Sequence, residues 1–190
     1  MPIVIEGPDN SGKSRLAKEL ATRLGSLVIH AGPKSGDYDQ MVSDMSHQNR
    51  RLCVRGHQSD VFDRLTCISE RSYRNYCDID DKAMVQSLAA LLEQDVILIY
   101  CRPPSSTIMD FSTHLVKSYD TESAMKDIVD NAHLYIERYD ETFSKIPHLS
   151  YNWLDSEDVN WHDNFINSIV LYLRDYSEYK KVTEGKYNVS

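Results

Sequence analysis

The sequence predicts an α/β fold in which a parallel sheet of about five strands carries helices on both faces. Three observations predict it. Short apolar runs alternate along the chain with longer segments whose apolar residues recur at helical spacing. The first run, Ile3-Val4-Ile5, leads through the loop Gly7-Pro8-Asp9-Asn10-Ser11-Gly12-Lys13-Ser14 straight into an amphipathic stretch, Arg15 to Leu24. A later run, Val96-Ile97-Leu98-Ile99-Tyr100, is apolar at every position, as a strand covered on both faces must be.

Taken in order, Pro2–Glu6 reads as a first strand and Ser14–Leu24 as a first helix, with Leu16, Leu20 and Leu24 in line and Gly25 as its stop. Leu27-Val28-Ile29 is a second strand, and Ala31–Gly36 is a loop by its glycine and proline content. Asp37 to Arg51 is helical, with Tyr38, Met41, Val42 and Met45 on one face. Leu52-Cys53-Val54 is short enough to be ambiguous. Asp60-Val61-Phe62 reads as a buried strand because charged Asp63-Arg64 follows it abruptly.

Leu65–Tyr76 is a polar helix, and Lys82–Glu93 is a helix with a stronger apolar face. Val96–Tyr100 ends at Cys101-Arg102-Pro103-Pro104. Residues 105–146 carry no strand signal, and Ile128, Ala132, Tyr135 and Tyr139 mark the inner face of a helix there. Leu149–Trp153 is a last strand, Asp155–Asp158 a helix start, and Phe165 to Leu173 a closing helix. Trp153 and Trp161 are expected to pack the last strand and helix. The expected organisation is one domain over 1–176 with a polar tail over 177–190. That tail closes over the site, pairs with a second subunit in a homodimer, or is disordered.

The 190 residues are 41% hydrophobic and 26% charged, enough to bury a core without cross-links. No apolar run reaches transmembrane length, and the first strand begins too early for a secretory signal to precede it. Cys53, Cys67, Cys77 and Cys101 show no C-x-x-C spacing and read as reduced thiols, which with the loop at 7–14 implies a cytoplasmic protein. The seven histidines have no metal-ligand spacing. A net charge of −8 disfavours broad electrostatic binding to nucleic acid but leaves room for a local basic cleft.

Residues 7–14 match the phosphate-binding pattern G-x-x-x-x-G-K-[ST] between a strand and a helix, the order its chemistry requires. Gly7 and Gly12 let the backbone curl so that its N–H groups converge on phosphate oxygens, and the helix adds its positive end. Lys13 would reach the β- and γ-phosphates, and the Ser14 hydroxyl would ligate Mg²⁺. The candidate ATP-binding set is Gly7, Asn10, Ser11, Gly12, Lys13, Ser14 and Arg15. Asp63 and Arg64 close a strand whose carboxyl end faces the same cleft. The carboxylate can take a proton from a hydroxyl or hold Mg²⁺ through water, and the guanidinium can clamp a phosphate.

With Glu6, Gly7, Asp9, Gly12, Lys13 and Ser14 followed by Asp63, Arg64 and Ser69, the chain resembles the thymidylate kinase branch of nucleoside monophosphate kinases. That branch carries an E-G-x-D-x-x-G-K-[ST] loop and a D-R-x-x-x-x-S segment. The run from Val96 to Pro104 is further similar to kinase-like proteins of bacteriophages. The resemblance covers residues 1–105 by motif and extends to about 150 by helix pattern. It implies the P-loop kinase fold, ATP as donor, Mg²⁺, and residence in the cytoplasm, the host's if the gene is a phage's.

By the same resemblance Asp63 lies near the transferring phosphate, Arg64 holds the acceptor phosphate, and Asp9 faces a sugar hydroxyl. Ser69 and Tyr73 then line the acceptor pocket. The sequence departs from the branch at Asn10, where some members place an arginine. It departs again in the lid-like segment, about 103–122, which has no arginine beyond Arg102. Arg102 and Lys117 are the candidate lid cations, with Arg138 a third, and Lys34 is the sole cation of the 31–36 loop. The favoured activity is transfer from ATP to a pyrimidine deoxynucleoside monophosphate. The alternative acceptor is a hydroxyl, on a deoxynucleoside or on a 5-hydroxymethylpyrimidine in phage DNA, and only there is DNA a partner. A nucleotide-driven switch or a non-catalytic binding protein ranks below both, since the sequence lacks N-K-x-D and any apolar strand ending in Asp-Glu.

Overall fold

Residues Ile3–Glu6 form β1, a fully buried strand whose side chains alternate between two apolar layers. Ile3 and Ile5 face one layer and Val4 the other. The structure is a computed structural model that describes residues 1–30, 38–53, 60–73, 82–110, 126, 129–154 and 160–186. Within these, α1 is Lys13–Leu24, β2 Val28–His30, α2 Tyr38–Cys53, β3 Val61–Asp63 and α3 Thr66–Tyr73. They are followed by α4 Lys82–Leu92, β4 Ile97–Cys101, α5 Ser105–Met109, α6 Ala132–Phe143, β5 Leu149–Tyr151 and α7 Trp161–Lys186.

The five strands are all parallel, in the order β2-β3-β1-β4-β5. β1 lies at the centre, with β3 and β4 as its neighbours, so the carboxyl ends of β1, β2 and β3 open side by side. One layer packs Val4, Phe62, Leu98 and Tyr100 against Leu65 and Ile68 of the β3–α3 stretch and Tyr135, Tyr139 and Phe143 of α6. The other packs Ile3, Ile5, Val61, Ile97 and Ile99 against Leu16, Ala17 and Leu20 of α1 and Ile166 and Ile169 of α7. Each fully buried Ile or Leu of these two layers contributes about 1.5–3 kcal/mol to holding the sheet. Cys67 and Cys101 are free and buried, and burial pushes the Cys67 thiol up to about 12.

The expected fold class is the observed one, with differences at the ends of elements. The ambiguous Leu52 and Cys53 belong to the last turn of α2. The helix expected to be polar, α3, is almost wholly buried, because α2, α4 and α6 all pack against it. β5 stops at Tyr151 and leaves Trp153 in a turn. α7 continues to Lys186, into the stretch expected as a tail. It is pinned to α1 by Arg23, which donates to Asn167 Oδ1 at 2.6 Å and pairs with Asp163. No helix among the described residues is long and apolar enough to cross a membrane. Ile128 and the helix start at 155–158 lie outside the described residues.

Candidate functional site

The loop between β1 and α1 takes its shape from residues held in unusual backbone conformations. Gly7 has φ +152° and Gly12 +83°. A Cβ on Gly7 would stand 2.5 Å from the Cys101 carbonyl oxygen and 2.8 Å from Ser11 Oγ. A Cβ on Gly12 would stand 2.8 Å from Cδ1 of Trp153. Both positions therefore exclude any other residue by space as well as by dihedral. Gly12 also caps α1, its carbonyl accepting from Leu16 N at 3.1 Å, so the positive end of that helix opens into the loop.

Asn10, at φ 62°, spends its side chain on structure. Its Nδ2 donates to the carbonyls of Thr107 at 2.9 Å and Asp110 at 3.1 Å, tying the loop to α5. Lys13 is buried, and its Nζ donates to the Pro8 carbonyl at 3.0 Å and sits 3.6 Å from Asp9 Oδ1. Burial holds this ammonium below its usual value, and Arg64 pushes the same way against the pull of Asp9. Ser11 is fully buried, whereas Ser14 is exposed at the first turn of α1. Arg15 lies on the exposed face of α1, paired with Glu19 at 3.0 Å.

Asp63 and Arg64 meet this loop from β3. Arg64 adopts φ 77°, a left-handed conformation for a non-glycine residue, and its backbone N–H donates to the Ile5 carbonyl at 3.0 Å. The turn sends its guanidinium to Asp9 and over the Tyr73 ring, 5.4 Å from the centroid. Asp63 is buried. One of its oxygens, Oδ2, lies 3.0 Å from His30 Nδ1, and the other, Oδ1, is buried with no hydrogen-bond partner among the described residues.

Glu6, at the carboxyl end of β1, is fully buried directly in front of the loop. It accepts from the backbone N–H of Leu65, from Ser69 Oγ at 3.3 Å and from the Tyr139 hydroxyl at 3.3 Å. Burial pushes its carboxyl up to about 7, against the opposing pull of the Leu65 N–H, Arg64 and Lys13. Tyr139 is raised as well, by burial and by Glu6.

The structure thus brings together Asp9, Lys13, Asp63, Arg64, Ser69 and Tyr73. Ser69 turns its hydroxyl to Glu6, and Tyr73 lies buried beneath Arg64 against Tyr135 and Tyr139. Arg102 is held elsewhere: Asp140 accepts from its Nε at 2.8 Å and its Nη2 at 2.9 Å, and Pro103 O accepts from Nη1. Lys34, Lys117 and the 111–122 part of the lid-like segment lie outside the described residues. Sequence reasoning gave no role to Glu6, His30 or Asp140. For the first two a signal existed, since each ends a short apolar run in a chain of parallel strands.

A divalent cation carried by a nucleotide takes one or two protein oxygens and completes its shell with phosphate and water. The accessible Ser14 hydroxyl fits that demand directly, and Asp63 would serve it only through water. Among the described residues no group of three or more His, Cys, Asp or Glu is arranged to hold a metal ion by itself.

No protein-family model and no curated protein matches the chain. Solved structures do. The YorR protein of Bacillus subtilis, in complex with phosphorylated GDP, is 17% identical, with 94% of this chain and 98% of that one covered at a TM-score of 0.62. Deoxyadenosine kinase from M. mycoides with bound dCTP is 17% identical, covered over 92% and 100%, at 0.54. Thymidylate kinase from Ehrlichia chaffeensis is 14% identical, covered over 92% and 98%, at 0.52. The chain has the fold of the phosphate-loop kinases.

Proposed function

We propose that this protein transfers the γ-phosphoryl group of ATP to a nucleotide-class acceptor. One observation carries the reading: the loop lysine, Lys13, and Arg64 from the end of β3 converge on a single carboxylate, Asp9, at the carboxyl ends of adjacent parallel strands. Phosphoryl transfer asks mainly for positioning and charge neutralisation. Lys13 and the loop N–H groups supply both to the donor, and Arg64 supplies charge on the acceptor side. Mg²⁺ bound with ATP, held by the Ser14 hydroxyl, would neutralise the β- and γ-oxygens.

On the resemblance, the acceptor is a pyrimidine deoxynucleoside monophosphate held through Arg64 and Asp9. A hydroxyl acceptor is favoured by a separate observation, the buried Asp63 Oδ1, which has no partner among the described residues. A phosphate acceptor needs no base, but a hydroxyl must lose its proton. Its oxygen would bond to the γ-phosphorus as the bond to the β-bridging oxygen breaks. ADP would leave with the electron pair, and the proton would pass through Asp63 Oδ1 to solvent.

The test is transfer of label from γ-labelled ATP with Mg²⁺ to monophosphates, nucleosides, and DNA with ordinary or hydroxymethylated pyrimidines. Label in any acceptor supports the reading, and its position names the class. Lys13→Ala should abolish transfer, about 10²–10³-fold or more, because it removes the charge aimed at the transferring group. Full activity in Lys13→Ala refutes the reading.

A further inference from the structure

β2 and β3 run parallel in a register that sets His30 directly beside Asp63 at their carboxyl ends. The side chains differ sharply in setting: Asp63 is 5% exposed and His30 66%. His30 Nδ1 lies 3.0 Å from Asp63 Oδ2, a separation at which the ring nitrogen must carry the hydrogen, since two lone pairs would repel. The torsion that turns an aspartate carboxylate is broad, so an Asp held by nothing samples many planes. A hydrogen bond to one oxygen fixes that plane and aims the other. Here the aimed oxygen is Oδ1, buried and unpartnered among the described residues. The neighbouring cation does not take it, because the Arg64 guanidinium goes to Asp9 and the Tyr73 ring.

We infer that His30 is a positioning residue for Asp63, and that the pair fits the acceptor side of the cleft to a hydroxyl-bearing nucleoside, free or within DNA. The inference rests on the phosphotransferase reading. A phosphate acceptor brought to Asp63 Oδ1 would set like charges in contact, whereas a hydroxyl donates to the same oxygen. His30 acts through Asp63: it leaves donor binding alone and governs the step in which the acceptor is deprotonated.

The test compares His30→Asn, His30→Gln and His30→Ala in the labelled-ATP assay, with thymidine, dTMP and duplex DNA containing 5-hydroxymethyluracil as acceptors. The amide nitrogen of Asn stands as many bonds from Cα as imidazole Nδ1 does, and that of Gln stands one bond further. Label is expected in thymidine or in the modified DNA, and which of the two separates the free from the polymeric source. kcat should fall about 10- to 100-fold in His30→Ala and His30→Gln, the usual effect of losing an orienting partner, and should stay near wild type in His30→Asn. The KM for ATP should not move.

Equal loss in Asn and Gln overturns the positioning role, as does a raised KM for ATP at unchanged kcat. The comparison of two amides of similar polarity stands even if His30→Ala folds poorly. Label confined to dTMP, with His30→Ala fully active, refutes the inference while leaving the phosphotransferase reading intact. A wild-type protein that labels no acceptor refutes both.

Discussion

Glu6→Gln tests the electrostatics of the cleft without altering its shape. Glu6 is fully buried, and its carboxyl is raised from 4.5 to about 7, chiefly because burial penalises the charged form. Each unit between protonation states is worth about 1.4 kcal/mol, so the difference amounts to about 3 kcal/mol. The sign follows from which state holds the proton. Below about pH 4.5 both folded and unfolded chains carry it, and Glu6 makes stability no different. As pH rises toward 7 the unfolded chain releases its proton while the folded chain keeps it, so stability falls by that amount and then levels off.

Gln keeps the oxygen that accepts from Leu65 N–H, and its amide can donate to the Tyr139 or Ser69 hydroxyl, which turn to accept. It cannot ionise. Urea unfolding of both proteins near pH 5 and near pH 8 should therefore show Glu6→Gln gaining about 2–3 kcal/mol on wild type between the two conditions. With a denaturant slope of about 2 kcal/mol/M, the gap between urea midpoints widens by about 1 M. A gap independent of pH would refute the argument that burial of this carboxyl is an unrelieved cost.

Two further substitutions probe the loop and its cation. Gly12→Ala should destabilise the protein more than Gly25→Ala, because both glycines have positive φ but only Gly12 faces Trp153. The shared dihedral penalty is about 1–2 kcal/mol, and urea unfolding of Gly12→Ala, Trp153→Ala and the double variant isolates the contact. Arg64→Lys should raise the acceptor KM and cost about 1–2 kcal/mol of stability, since an ammonium cannot reproduce the planar contact with the Tyr73 ring together with the pairing to Asp9. Steady-state kinetics and a melting curve read the two effects, and a silent Arg64→Lys would show that charge alone suffices.

The phosphate loop, α1, β1 and β4 were legible because their information is local. A glycine pattern between strand and helix, and an unbroken apolar run, need no knowledge of the rest of the chain. Glu6 and His30 carry a weaker mark, each ending a short apolar run, and that place alone assigns neither a role. Glu6 acquires meaning from Ser69 and Tyr139, far along the chain, and His30 from a parallel register with Asp63 that only the sheet order supplies. The same holds for α3, whose polar composition suggested a solvated helix although its serines bond inward to Glu6 and to its own backbone. Trp161 stacks on Tyr151 and Phe165 as expected, yet Trp153, expected to pack with it, lies against Gly12. A large aromatic residue in a turn has no periodicity to say which element it will meet. Arg102 read as an available cation because its partner, Asp140, comes from a helix 38 residues away.

The anchoring of Asn10 sets a limit on how this loop can be re-engineered or diversify. Some members of the thymidylate kinase branch that the sequence resembles place an arginine there, and grafting one in would look like a simple gain of positive charge in the loop. In this chain the same position holds the end of α5 through the Thr107 and Asp110 carbonyls, in a left-handed backbone conformation that asparagine tolerates better than arginine. A single site cannot serve as both tether and cation. Any lineage that acquires the arginine must first find another fastening for α5, so the two changes should arrive as a pair.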